Sequence, residues 1–156
     1  NVGAILRTLD GLGIERAVFS GYTPRYNDET LLPHLREKLD HQIQKSALGA
    51  EESVRQRAIV DLASWLNEQK SEGWKIVGLE NNLDAEEQAR KRVLGTDAET
   101  AEQVVLVLGE EVDGIPSEIR ELLDEFLEIP MRGQKESFNV SIAAAIALWE
   151  LSRGVE

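Results

Sequence analysis

Polar side chains capable of ligand chemistry are gathered in two short loops near the end of the chain. In the first, the apolar run Val104-Val105-Leu106-Val107-Leu108 breaks into Gly109-Glu110-Glu111-Val112-Asp113-Gly114-Ile115-Pro116. In the second, Ile129-Pro130-Met131-Arg132-Gly133 leads into Ser137-Phe138-Asn139-Val140-Ser141 at the head of an Ala-rich stretch. Carboxylates, a hydroxyl and an amide placed just beyond apolar runs are what a parallel α/β sheet uses to hold a polar ligand, because such ligands sit past the carboxyl ends of strands. Other chemistries find little support. The chain shows no Ser-His-Asp order, no phosphate-binding P-loop and no Gly-x-Gly-x-x-Gly fingerprint. His34 and His41 could share a helix face, but without a third ligand or any cysteine they read as surface residues and no metal site is expected.

Elements must position these loops. Ile5, Leu6, Leu9 and Leu12 recur at helical spacing over residues 2–12, with Gly13 as a stop, and Ala17-Val18-Phe19-Ser20 reads as a short strand. A polar loop with Tyr22, Pro24 and Tyr26 precedes a short helix over residues 35–43. Ile59, Leu62, Ala63 and Leu66 predict a helix over residues 57–72, and Lys75-Ile76-Val77-Gly78-Leu79-Glu80 a strand. Residues 81–103, charged and poorly patterned, suggest an exposed helical excursion with no chemistry. Strand 104–108, a helix capped by Ser117 and running to Leu123, strand 126–129 and a helix over 139–153 complete the order. The last helix has two apolar stripes, Ala144, Ala147, Leu148 and Leu151 on one and Ile142, Ile146 and Trp149 on the other, so burial on two sides is expected: one against the sheet, one against a second subunit. Strands separated by helices predict an α/β domain with a mostly parallel sheet and helices on both faces.

The 156 residues suit one domain, which at this size buries about 68–70% of the unfolded surface. Absence of cysteine excludes a disulfide framework and a thiolate nucleophile, no segment approaches a membrane span, and a cytoplasmic protein with no membrane association is expected. A net charge of -12 argues against a chain coated in cations for nucleic acid. The distribution softens this: residues 1–57 hold eight Lys/Arg against eight Asp/Glu, and residues 58–156 nine against twenty-one. A local basic face from Arg7, Arg25, Arg36, Lys38, Lys45, Arg55 and Arg57 is compatible with that balance, and Tyr22 and Tyr26 lie in a loop beside Arg25 as candidates for stacking on the bases of a nucleic acid. Trp65, Trp74 and Trp149 read as core or interface aromatics.

Asn1-Val2-Gly3-Ala4-Ile5-Leu6-Arg7-Thr8, the 109–114 loop and the 129–141 segment together resemble the three motifs of the SpoU-like (TrmH-type) branch of the SPOUT RNA methyltransferases, in order and over nearly the whole chain. Ser46-Ala47-Leu48-Gly49-Ala50-Glu51 is similar to a further recurring segment of that family. The resemblance implies a single domain over residues 1–156, with a first strand upstream of Asn1, a C-terminal deep trefoil knot, a homodimer, S-adenosylmethionine as cofactor, and methyl transfer to a ribose 2′-hydroxyl of tRNA or rRNA. Cofactor binding falls to Leu79, Glu80, Leu108, Gly109, Gly114, Ile129, Met131, Gly133, Ser137, Phe138 and Asn139. Arg7, Glu111, Ser137, Asn139 and Asn1 match the family's catalytic positions. Arg7 can act as a base within the assembled RNA complex or remain cationic and stabilise the developing alkoxide, the preferred role. Glu111 can orient Arg7 and complement the methyl donor's charge. Ser137 can cap the last helix as well as contact ligand, and ligand contact is favoured for Asn139. The competing function is a non-catalytic RNA-binding or assembly module that retains the fold.

Overall fold

The computed structural model describes residues 1–95 and 103–153. They divide into two compact units, Asn1–Asp61 and Leu62–Glu156. Both are built from parallel β-structure and helices, as the strand and helix alternation predicts.

The first unit runs α1 (Val2–Gly11), β1 (Arg16–Ser20), α2 (Pro33–Ala47), α3 (Ala50–Ser53) and β2 (Arg55–Ile59). In α1, Gly3, Leu6 and Leu9 are buried at a spacing of three, which aims one stripe inward. Gly3 lies so close to α2 that a Cβ there would run into Ser46 Oγ and the Ile43 carbonyl, and would stand 2.9 Å from the Ala47 nitrogen. The first motif therefore packs directly on the Ser46-Ala47 end of the further family segment. Helix α2 is longer than residues 35–43 because Pro33 opens it at the first turn, where its missing N–H is harmless, and it stops only where Leu48 turns left-handed at φ 51°. The polar loop before it is braced by an Arg25–Asp28 ion pair of 2.9 Å and by Asp40 accepting from the Asn27 N–H at 2.7 Å.

Strand β2 corrects the sequence reading, which placed Arg57 and Ile59 in a helix. Residues Arg55–Ile59 pair in parallel with β1, Arg16 opposite Arg55 and Val18 opposite Arg57, and the helix begins only at Leu62. Arg-Gln-Arg-Ala-Ile has no apolar alternation because most of the strand stays exposed, so ladder hydrogen bonding, invisible in the pattern, decided its conformation.

The second unit runs α4 (Leu62–Ser71), β3 (Lys75–Leu79), a 3-10 turn (Glu87–Arg90), β4 (Lys91–Val93), β5 (Val104–Leu108), α5 (Ser117–Arg120), β6 (Glu125–Glu128) and α6 (Val140–Ser152). Its four strands lie in the order β4-β6-β3-β5, all pairings parallel. On one face Ile76, Val107 and Phe126 pack with Leu66 of α4 and with Ile115, Ile119 and Leu123. On the other, Val77 and Leu127 pack with Ala147 of α6. Ile76, Val77 and Gly78 are consecutive buried residues, as expected for a central parallel strand covered on both sides.

Three further expectations need correction. The charged stretch after β3 holds a 3-10 turn and a strand rather than a helical excursion, since Lys91, Arg92 and Val93 pair with β6 while their long side chains reach Glu128 and Glu125; residues 96–102 lie outside the described residues. Helix α5 is one turn, preceded by Pro116 as its cap residue, with Ser117 inside it. The strand expected at 126–129 occupies Glu125–Glu128. Among the described residues, no helix is long and apolar enough to cross a membrane.

Candidate functional site

Strands β6, β3 and β5 are adjacent and parallel, with Leu79 opposite both Leu108 and Leu127. The three strand ends named from sequence therefore sit side by side on one edge of the sheet, and three loops leave from that edge.

The loop after β5 is a closed turn. Glu110 N–H donates to the Gly114 carbonyl at 3.2 Å and Gly114 N–H to the Glu110 carbonyl at 3.1 Å, with Gly114 at φ 68°. Gly109 permits that closure: a Cβ there would stand 2.5 Å from the Ile115 nitrogen and 2.7 Å from the Gly114 oxygen. Glu111, Val112 and Asp113 are exposed at the tip. A Cβ on Gly114 would lie 2.5 Å from Glu80 Oε2, so the end of β3 presses on this turn.

Glu80 is committed to structure. Its Oε1 accepts from the Asn81 and Asn82 N–H groups at 3.0 and 3.3 Å, and Oε2 pairs with Arg120 at 3.2 Å. Arg120 is the hub here. Its Nε and Nη2 donate to Glu87 Oε1 and Oε2 at 2.7 and 2.5 Å, Nη2 also reaches the Asn82 carbonyl at 2.7 Å, and the guanidinium lies 5.4 Å from the ring centre of buried Phe126. The Arg120 hydrogen bonds hold the Glu87 carboxyl well below its ordinary 4.5, at about 2, against burial that would raise it. Glu87 in turn raises the Arg120 pKa. The sequence reading missed Arg120 and Glu87, which are 33 residues apart and share no local pattern.

The loop after β6 lines an open pocket of about 580 Å³ formed by Pro130, Met131, Arg132, Gly133, Gln134, Lys135, Ser137, Phe138 and Asn139. Met131, Gly133, Ser137, Phe138 and Asn139, all expected at the ligand, are thus together, while Ile129 is buried at the loop's root. Among the described residues, apart from its chain neighbours, nothing lies within 4 Å of a Cβ built on Gly133, so its bare backbone is open there. Asn139 corrects the assignment of roles: it, and not Ser137, caps α6, its Oδ1 accepting from Ser141 N–H at 3.0 Å and from Ser141 Oγ at 2.6 Å. Ser137 is exposed within the loop. A second opening of about 630 Å³ lies between Leu94, Ile129, Pro130 and Phe138 and the Ile146–Trp149 side of α6.

Asn1 and Arg7 belong to the first unit. Asn1 precedes α1, its carbonyl accepting from Ile5 N–H at 2.9 Å without a side-chain cap, and Arg7 projects from the exposed face of α1. Of the expected basic residues, Arg25 is tied to Asp28, whose carboxyl it holds down at about 2, while Arg55 and Arg57 alternate with Gln56 on β2 and point to the exposed side beside Arg16. Tyr22 is fully exposed; Tyr26 instead donates to Glu52 at 2.8 Å, and that bond raises its pKa. Among the described residues no group of three His, Asp or Glu side chains could hold a metal ion.

Residues 1–149 match the family model described as the SpoU rRNA Methylase family. The chain is 31% identical over 153 residues to the 23S rRNA (guanosine-2'-O-)-methyltransferase RlmB of Bordetella pertussis, covering 98% of this chain and 54% of that protein. Among solved structures it is similar to an AdoMet-bound rRNA methyltransferase from Sinorhizobium meliloti, with a TM-score of 0.78 at 22% identity over 100% of this chain and 52% of that one. It is also similar to a TrmH/SpoU tRNA modifying enzyme from A. aeolicus, with a TM-score of 0.73 at 25% identity over 97% and 67%. The chain spans about half the length of the curated relatives it matches.

Proposed function

We infer the activity from a premise and a geometry: the chain belongs to the SpoU rRNA methylase family, and its three adjacent strand ends suit transfer of a methyl group from S-adenosylmethionine to a ribose 2′-hydroxyl of tRNA or rRNA. The observation that supports this reading is the convergence of the β3, β5 and β6 ends, each running into a loop that offers backbone groups, with Gly109 and Gly114 closing the loop after β5 and Gly133 open in the loop after β6. The residues fit the cofactor. The pocket beyond β6 is within the roughly 300–1,000 Å³ range of small-molecule sites, Gly133 leaves its rim open, and Phe138 and Met131 supply apolar contact. The acidic tip carrying Glu111 complements a cationic donor.

When bound, S-adenosylmethionine supplies a methyl group made electrophilic by its sulfonium. This chain's part is to hold the donor, align the sugar oxygen behind the methyl and stabilise the charge that builds on that oxygen as its proton leaves. The guanidinium of Arg7 is assigned the last task. Asn139 acts by fixing the start of α6, and so the shape of the loop, rather than as a base. Arg16, Arg55 and Arg57 on the exposed strand face, with Tyr22 nearby in sequence, supply phosphate and base contacts for RNA, although Glu15 partly neutralises Arg55. The chain works as a homodimer in the cytoplasm, with the knotted C-terminal topology of its family. Support for the dimer comes from α6, where Ile142 is 52%, Ile146 37% and Trp149 59% exposed on the stripe that the sequence expects to be covered.

Incubation with methyl-labelled S-adenosylmethionine and total cellular RNA tests the reading. Label recovered in alkali-resistant dinucleotides, the signature of a 2′-O-methyl group, is expected. Cofactor binding without transfer to any RNA would favour the non-catalytic module instead.

A further inference from the structure

The segment after β3, to which the sequence attaches no chemistry, carries a side chain that joins two of the three loops. Asn81 Oδ1 accepts from the Ile129 N–H at 3.1 Å, and Asn81 Nδ2 donates to the Ile129 carbonyl at 3.1 Å and to the Glu136 carbonyl at 3.2 Å. The carboxamide pairs with Ile129 as a neighbouring strand residue would, and adds a second attachment next to Ser137. Its own backbone is fixed, because Asn81 N–H donates to Glu80 and Glu80 is held by Arg120. Between the two anchors lie residues 130–135, all of which line the pocket. The anchors are thus the two ends of the pocket-forming loop.

The residue type matters. One planar group must offer an acceptor to an N–H and two donors to two carbonyls, which is the inventory of a carboxamide; a carboxylate offers acceptors only and would face both carbonyls with negative charge. We propose that Asn81 is a positioning residue that holds the 130–139 loop in its ligand-binding shape before the ligand arrives. A loop already ordered loses less freedom on binding, so its anchor contributes to affinity without touching the ligand. This rests on the reading that the loop takes S-adenosylmethionine.

The test uses Asn81→Asp, which keeps the shape and removes the donors, and Asn81→Ala, which leaves the three backbone groups where water can reach them. Cofactor titration calorimetry, steady-state methylation, and trypsin cleavage at exposed Arg132 and Lys135 without cofactor are measured on the full chain. In both variants the cofactor's Kd and KM rise about tenfold, kcat at saturating cofactor stays within about twofold, and loop cleavage accelerates several-fold, with the larger effects for Asp. Folded variants with wild-type affinity and wild-type cleavage overturn the proposal, as does loss of folding in both, which would make Asn81 a prop of the sheet. A wild-type chain that binds no S-adenosylmethionine sinks the family-based reading; wild-type binding with unaltered variants sinks this inference alone.

Discussion

Gly109→Ala isolates the geometry of the loop after β5. The added methyl would stand 2.5 Å from the Ile115 nitrogen and 2.7 Å from the Gly114 oxygen, where ordinary contact needs about 3.5 Å. Both obstacles are backbone atoms, so no rotamer change relieves them and the turn itself must retreat by about 1 Å. Its two closing hydrogen bonds are already 3.1 and 3.2 Å long. Their loss removes about 1 kcal/mol each, and the crowding adds about 1–3 kcal/mol. Destabilisation of about 3–5 kcal/mol corresponds, for a chain of this length, to a fall in Tm of about 6–20 °C. Gly133→Ala is the matched control, since it meets nothing within 4 Å and needs no positive φ. Thermal unfolding followed by circular dichroism, with S-adenosylmethionine titration of each variant, reads both effects. Gly109→Ala lowers Tm and weakens the cofactor, whereas Gly133→Ala leaves Tm in place and weakens the cofactor only through its rim. Equal melting temperatures for the two variants would refute the reasoning.

Other perturbations separate the remaining roles. Arg7→Ala lowers kcat by about 10²–10³-fold, the usual effect of losing one charge-stabilising donor, with cofactor affinity unchanged by calorimetry; persistent methylation would remove Arg7 from the mechanism. Arg120→Met leaves the Glu87 carboxylate buried without its bidentate partner and destabilises by about 3–5 kcal/mol in denaturant titration, whereas Arg120→Met with Glu87→Gln recovers part of that loss. Because the folded pKa of Glu87 is depressed to about 2 from 4.5, the stability it contributes is complete above about 4.5 and disappears as pH falls toward 2; Glu87→Gln flattens that part of the stability profile. Trp149→Glu puts a charge in the exposed apolar stripe of α6, and sedimentation should then report a monomer; an unchanged sedimentation coefficient would place any dimer contact elsewhere.

What the sequence disclosed follows from which elements owe their conformation to burial. Strands β3 and β5 announce themselves because Ile76, Val77 and Val107 are packed between layers, and apolar runs are what such packing leaves in a sequence. Strand β2 is silent for the converse reason: Arg55, Arg57 and Ala58 are exposed, and only pairing with β1 makes the segment a strand. Strand β4 is hidden too, its Lys91 and Arg92 reading as surface charge although they are strand residues whose heads reach acidic partners on β6. The same distinction explains why the pattern over 57–72 reads as one helix although the helix begins at Leu62: Ile59 falls in phase with Leu62, Ala63 and Leu66, and phase alone cannot tell a strand residue adjoining a helix from its first turn.

The site divides along a similar line. Loops with strand ends, glycines and polar side chains are legible because their residue types are unusual for their context, and the second-unit candidates indeed gather on one sheet edge. The bonds that shape those loops are not, since Asn81 to Glu136 spans 55 residues and Arg120 to Glu80 joins segments 40 residues apart that meet only once the sheet has formed. Asn139 shows why residue type underdetermines role. An asparagine near the end of a polar loop and one residue before a helix meets the requirements of both a ligand and an N-cap, and the structure shows it filling the second, with Oδ1 engaged by Ser141, while it also lines the pocket. That engagement bears on the proposed methyl transfer: a carboxamide oxygen is a negligible base, and this one already accepts two hydrogen bonds from Ser141, so the proposed reaction gives Asn139 a shaping role and no part in moving the proton.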